Sequence, residues 1–144
     1  MEWNYYNTFI TVSADCPVEF GTVPPDKKGG RTKPSLEYEL AAGEPYRYTQ
    51  EELMLEVHLR HKEIAPEIVA ERGAEIREAF FSKPMACMRA SMLPKKYGWG
   101  IHFNEAGKLA LVAMESAEYH QFARGTEEGL KILAGMRSSK KQGQ

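Results

Sequence analysis

The residues best suited to binding or catalysis cluster at the start of a predicted β-hairpin. Arginine and lysine can bind a carboxylate or a phosphate, and histidine can exchange a proton near neutral pH. Glycine in a strand leaves room for a ligand to approach the backbone. Residues 89–102 combine these types with aromatic rings. The candidate ligand-binding residues, called here the hairpin cluster, are Arg89, Lys95, Lys96, Tyr97, Trp99 and His102.

Three functions are compatible with these residues. The first is non-enzymatic binding of a small anionic ligand or an extended peptide, in a pocket beside the hairpin that is open at Gly98 and Gly100. The second is catalysis with His102 as general acid or base, in which Tyr97, Lys95 or Arg89 stabilises developing charge. It requires His102 to be partly buried in a cleft, with another titratable group within hydrogen-bond distance. The third is self-association through an exposed hairpin edge and the aromatic residues Trp3, Tyr5 and Tyr6.

The same residues also fit a purely structural role. Aromatic side chains that alternate along a strand usually face the core, and neighbouring lysines usually face water. On this interpretation Gly98 and Gly100 allow a helix to pack closely, and Trp99 belongs to the core. The sequence therefore leaves open whether a ligand or a helix lies on the face formed by Gly98, Gly100 and His102.

Other polar groups lack the spacing that a recognisable site requires. His58 and His61 stand three residues apart in a predicted helix, but no further ligand completes a zinc motif, so we expect no metal site. Cys16 has no catalytic signature around it. The basic, glycine-containing stretch at residues 27–31 matches neither phosphate-binding glycine motif. Nothing in the sequence specifies a cofactor.

Composition indicates one folded domain. The 144 residues are 42% hydrophobic and 27% charged, which is typical of a globular protein. We predict a single domain over residues 1–137 and a disordered tail over 138–144, where no apolar residue remains. A net charge of -1 gives no general attraction to nucleic acid or to an anionic membrane, and we expect neither partner. The lack of a signal-peptide pattern and of a cysteine framework predicts a soluble cytoplasmic protein.

The elements that must position the hairpin cluster follow from periodicity and capping residues. Strands are predicted at 8–12, 36–40 and 85–90 and in the hairpin over 97–114. Helices are predicted to begin at a capping box formed by Thr49 and Glu52, at Pro66, and at caps Ser116 and Thr126. Residues 13–34 are predicted to be a long loop, either flexible or part of a binding site. Because strands and helices segregate along the chain, we predict an α+β fold with a mainly antiparallel sheet and helices packed on one face.

Several stretches together resemble an uncharacterised bacterial family of small proteins, domain of unknown function 6157. The resemblance extends from about Asn4 to Phe122. It is carried in chain order by Tyr5 to Ile10, Asp15 to Pro17, Pro45 to Glu52, Phe80 to Lys83 and, most specifically, Leu93 to Phe103. It implies a small single-domain protein and no particular activity, because the family carries no catalytic or binding assignment.

Overall fold

The structure, a computed structural model, describes residues 4–27, 30–83, 87–125 and 127–137. Within these residues the α-helices are α1 (Lys33–Gly43), α2 (Gln50–His61), α3 (Pro66–Phe81), α4 (Met92–Lys96) and α5 (Ala117–Ala123). The strands are β1 (Thr8–Thr11), β2 (Trp99–Phe103), β3 (Leu109–Ala113) and β4 (Lys131–Ala134), and Met88–Ala90 forms one 3-10 turn. The α+β class predicted from the sequence is confirmed.

The four strands form one sheet in the order β3-β2-β1-β4. β1 pairs antiparallel with β2 and parallel with β4, while β2 and β3 form the hairpin. The register places Ile10 opposite Ile101, and Ile101 opposite Leu111. Since side chains alternate between the two faces of a strand, these three residues share one face of the sheet.

That face is covered by α1 and α2 and holds the main hydrophobic core. Leu36 and Leu40 from α1 and Leu53 from α2 pack with Ile10 and Ile101, and all five side chains are buried. α2 is placed by its first turn, where the Thr49 hydroxyl accepts from the Glu52 amide and the Glu52 carboxylate accepts from the Thr49 amide. This capping box confirms the predicted helix start.

The other face of the sheet is covered by α5, so helices do not lie on one face only as predicted. The Phe9 ring lies 5.3 Å from the Tyr119 ring and 5.0 Å from the Phe122 ring. Ser116 accepts a hydrogen bond from the Tyr119 amide and so begins α5, as its position in the sequence predicted. Helices therefore pack on both faces of the sheet, while the edge strand β4 stays largely exposed.

The structure differs from the predicted secondary structure at residues 36–40 and at residues 131–134. Residues 36–40 belong to α1, not to a strand, because Thr32 caps a helix there and Leu36 and Leu40 are one helical turn apart. Residues 131–134 form β4 and not a helix. Their partner is β1, about 120 residues earlier, which no local pattern indicates. The predicted cap Thr126 lies outside the described residues.

The predicted strand at 85–90 is also wrong, since Met88–Ala90 forms the 3-10 turn. Residues 85 and 86 lie outside the described residues, and so does the predicted disordered tail, 138–144.

The predicted loop at 13–34 is hydrogen bonded to the base of the hairpin. The Thr22 amide donates to the Tyr97 carbonyl at 2.8 Å, and the Gly21 amide donates to the Glu115 carboxylate at 2.9 Å. Within the described part of the chain, no helix combines the length and the apolar character that a bilayer crossing requires.

Candidate functional site

The hairpin cluster does not converge on one place. Trp99 and His102 differ by an odd number of positions along β2, so their side chains lie on opposite faces of the sheet. The Trp99 ring packs 5.4 Å from the ring of Tyr38 on α1, and its Nε1 donates to the Thr22 carbonyl at 2.8 Å. Trp99 is thus held on the α1 side of the sheet, away from the face that carries His102.

The basic members of the cluster are equally dispersed. The Arg89 Nε donates to the Ala134 carbonyl at 2.7 Å and so ties the 3-10 turn to β4. Lys95 and Lys96 end α4, which Tyr97 follows as its C-cap. No hydrogen bond, ion pair or ring contact among the described residues joins His102 to any of the other five.

The space over the two hairpin glycines is filled. A Cβ atom at Gly100 would lie 2.8 Å from the Phe9 ring and 2.8 Å from the Tyr119 ring, and one at Gly98 would lie 2.6 Å from the Phe20 carbonyl oxygen. The pocket predicted to be open at these glycines is therefore not found, and a packed helix occupies the face over Gly100. The structural alternative describes these two glycines correctly.

The hairpin edge expected to support self-association is covered at its first residue. The Tyr46 amide donates to the Leu109 carbonyl, and the Leu109 amide donates to the Tyr48 carbonyl, each at 2.8 Å. The segment between α1 and α2 therefore hydrogen bonds to the start of β3. An edge residue whose amide and carbonyl are already paired cannot pair with another strand.

His102 meets two parts of the condition for a general acid or base, since it is partly buried and lies within hydrogen-bond distance of a titratable group. Its Nδ1 lies 2.9 Å from the Tyr46 hydroxyl, and its ring stacks on Phe122 with centroids 4.2 Å apart. Burial lowers the pKa of His102 below its ordinary value, and the Glu127 carboxylate partly offsets this effect. Tyr46 reaches the histidine from a backbone with φ of 60°, which is rare for a bulky residue. His102 is therefore a half-buried imidazole paired with a tyrosine.

A second candidate lies in the helical layer, where α1, α2, the end of α3 and residues 87–92 surround a cavity of about 240 Å³. We call it the helical cavity. Most of its wall is apolar and comes from Pro34, Met54, Val57, Phe80, Met88 and Met92. Its polar lining residues are Lys33, Glu37, His58, Cys87 and Ser91. An apolar pocket with a few convergent polar groups is the usual form of a small-molecule site.

Glu37 is the most unusual of these polar residues. The Ser91 hydroxyl donates to its Oε1 at 2.7 Å, and no ion pair or second hydrogen bond reaches the carboxylate from the described residues. Burial raises the pKa of Glu37 from 4.5 to about 7, and the Ser91 hydrogen bond and the charge of Lys33 only partly oppose this increase. Carboxyl groups with a raised pKa in a pocket are characteristic of functional sites.

His58 forms part of the opposite wall of the helical cavity. Its ring lies 4.6 Å from the ring of Phe80. Burial lowers the pKa of His58, and the charges of Lys62 and Lys33 lower it further, so the imidazole is neutral at pH 7. Among the described residues no three His, Cys, Asp or Glu side chains are placed to hold a metal ion.

Two other hollows on the surface are less suited to a ligand because their charged groups are paired or exposed. In the hollow beside the loop before α1, Asp26 and Glu39 both pair with Arg31. In the hollow between α2 and α3, Arg77 pairs with Glu51 at 3.6 Å, and Glu78 is exposed to solvent. The helical cavity differs from both because its carboxylate is partly buried and has no ion-pair partner among the described residues.

The sequence does not reveal the helical cavity, because the alternation at residues 36–40 predicts a strand. On a strand, Glu37 would alternate with the leucines and face solvent. On a helix, Lys33 and Glu37 are one turn apart and lie on the same side. The signal that could have revealed this was Thr32 followed by Pro34, a helix start of the usual kind.

Comparison with known proteins supports the resemblance found in the sequence. The model of a family of unknown function, DUF6157, matches residues 1–141. No curated protein and no solved structure matches the chain. Since the family model spans nearly the whole length, the chain belongs to this family of unknown function, DUF6157.

Proposed function

We propose that this protein binds a small, largely apolar molecule in the helical cavity and that Glu37 is the polar group that orients it. The observation that carries the proposal is a carboxyl group in an apolar cavity with one hydrogen bond and no ion pair among the described residues. Glu37 is partly buried, its environment disfavours the charged form, and a ligand that donates to the carboxylate would stabilise that form. An apolar cavity of roughly 150 Å³ holds benzene, so about 240 Å³ accommodates a ring with a short substituent.

The sequence predicts a binding site at the hairpin cluster, and we propose a binding site at the helical cavity in its place. A small anionic ligand or a peptide at the hairpin cluster has lost its geometric support, because the cluster is dispersed and Gly98 and Gly100 are covered. Self-association through the hairpin edge is less favoured at Leu109, the first residue of β3, because Tyr46 and Tyr48 already hydrogen bond there.

The proposal is tested with benzyl alcohol and indole as probes on 15N-labelled protein. We expect amide shift changes at the cavity wall, around Val57, Met88 and Ser91. Ala90→Leu, which fills the cavity, should abolish them, and Ala79→Leu, at an exposed position on α3, should leave them unchanged. Probe-induced shifts that spare the wall, or that persist in Ala90→Leu, would rule out the helical cavity as the site.

We propose as a second candidate that His102 transfers a proton, with Tyr46 as its partner. The supporting observation is the 2.9 Å contact between the Tyr46 hydroxyl and His102 Nδ1. A histidine held neutral at pH 7 is ready to accept a proton, and a fixed tautomer directs that proton to one nitrogen.

The partnership predicts that His102 titrates below 6.5 and that Tyr46→Phe shifts the 15N resonance of its Nδ1. NMR of the histidine ring measures both. Tyr38→Phe is the matched control because that ring packs on Trp99, on the opposite face of the sheet. An Nδ1 resonance that is insensitive to Tyr46→Phe would show that the hydrogen bond is absent, and the catalytic candidate would fail with it.

A further inference from the structure

We propose that the molecule bound in the helical cavity is a small cation, an apolar group bearing a protonated amine that pairs with Glu37. This inference rests on the proposed binding function and adds the chemical class of the ligand. It begins from the unsatisfied half of the carboxylate. Oε1 accepts from Ser91, and Oε2 has no hydrogen-bond partner among the described residues. An ammonium group would donate to this oxygen and neutralise the charge at the same time.

Two opposite charges line the cavity, Glu37 and Lys33, and a group that contacts the free oxygen of Glu37 is favoured when it is a cation. Glu37 is the acidic side chain that lines the described wall, and no salt bridge joins it to Lys33 one turn earlier. A bound anion would face the Glu37 carboxylate whenever that group is ionised. On the opposite wall His58 is neutral at pH 7, so it neither repels a cation nor attracts an anion.

The apolar wall is also of the kind that tolerates positive charge. Phe80 lines the cavity, and the face of an aromatic ring attracts a cation, most strongly where water is excluded. The flexible, polarisable side chains of Met54 and Met88 can adapt to the outline of an amine substituent. A carboxylate, an aromatic ring and methionines together form a suitable environment for an apolar amine.

The inference fixes the direction of a pH effect. An amine cation binds the ionised form of Glu37, so binding strengthens as pH rises through the pKa of about 7. The other groups that face Glu37 are Lys33 on the same helix, His58 on α2, and Cys87 and Ser91 before α4. Burial and the charges of Lys62 and Lys33 lower the pKa of His58, so its protonation changes at more acid pH than that of Glu37.

The experiment compares benzylamine, benzyl alcohol and benzoate, which share a ring and differ in charge. Calorimetry or NMR at constant ionic strength should rank benzylamine as the tightest at pH 8. Its affinity should fall about 30-fold between pH 8 and pH 5.5, as the ionised fraction of Glu37 falls. In Glu37→Gln, benzylamine should lose both its advantage and its pH dependence, while benzyl alcohol still binds and shows that the cavity is intact.

The possible failures are distinct. If benzylamine and benzyl alcohol bind equally, or if benzoate binds best and more tightly in acid, the cation inference is wrong and the binding function stands. If none of the three binds at the cavity wall, the inference fails together with the proposed function. If benzylamine binds best but keeps its pH dependence in Glu37→Gln, another group accepts the amine and the assignment to Glu37 is wrong.

Discussion

Glu37→Gln is expected to be more stable than the unmodified chain, and its advantage should grow by about 2 kcal/mol between pH 5 and pH 8. Few single substitutions at a partly buried polar position stabilise a protein. The expectation arises because glutamine keeps the shape of the side chain and can still accept the Ser91 hydrogen bond. It removes only the charge that burial opposes.

The sign follows from proton linkage. The folded state holds the Glu37 proton up to a pKa of about 7, whereas the ordinary pKa of 4.5 applies to the unfolded chain. Between these values the folded state binds more protons, so the free energy of unfolding contributed by Glu37 decreases as pH rises. The loss begins near pH 4.5, is complete above pH 7, and amounts to at most about 3 kcal/mol.

Urea unfolding of both chains at pH 5, 6, 7 and 8 measures this effect. Glu75→Gln, which removes an exposed carboxylate from α3, is the control and should give a constant difference at every pH. If the difference in unfolding free energy is also the same at every pH for Glu37→Gln, the carboxyl is solvated. The argument for a binding site in the helical cavity would then fail. A growing difference would identify a residue that reduces stability, as functional groups often do.

The parts of the fold that could be predicted are those whose signal lies within a few residues. Thr49 and Glu52 form a capping box because each side chain reaches the backbone amide of the other. The hairpin is equally local, since alternation marks both strands and Gly107 takes the φ of 80° that the connection needs. The sequence also placed His102 correctly on the face opposite Trp99, because alternation in a strand is a geometric rule.

Two elements were predicted wrongly for different reasons. At residues 36–40 a local signal was present, since Thr32 followed by Pro34 marks a helix start, but the spacing of Leu36 and Leu40 fits a strand as well as a helix. Ile132 and Leu133 in β4 fit a helix or a strand equally well, and the choice depends on pairing with β1, which is distant in sequence. Tertiary contacts therefore decide the structure of β4.

The candidate site was harder to predict than the fold, for the same reason. The helical cavity is built from four separated segments, so no single motif contains its residues. The hairpin cluster, by contrast, was suggested by residues that are close in sequence, and β alternation separates Trp99 from His102. Closeness in sequence within a strand is therefore a poor guide to a shared site, while Glu37 and Ser91 meet across 54 positions.

Gly98→Ala is expected to destabilise the protein by at least about 2 kcal/mol. Two separate effects add at this position. Gly98 has φ of 77°, which an alanine adopts only with strain. The new Cβ would also lie 2.6 Å from the Phe20 carbonyl oxygen, which is backbone and cannot rotate away. Relief requires the loop before α1 to move away from the hairpin.

Gly73→Ala is the matched control, since a Cβ at Gly73 meets no atom within 4 Å and the residue lies inside α3. It should leave stability unchanged or raise it by up to about 1 kcal/mol. Urea unfolding gives the two differences, and hydrogen exchange locates their origin. In Gly98→Ala the Thr22 amide and the Trp99 indole N–H should exchange faster, because both hydrogen bonds join the loop to the hairpin.

The hydrogen-exchange pattern separates the two effects at Gly98. If Gly98→Ala is destabilised while Thr22 and Trp99 keep their protection, the strain is confined to the turn before β2 and the loop is not displaced. If stability is unchanged, the close approach of Phe20 to Gly98 is absent. Faster exchange at both positions would show that glycine at position 98 lets the loop pack against the hairpin. The missing side chain would then serve packing and not ligand binding.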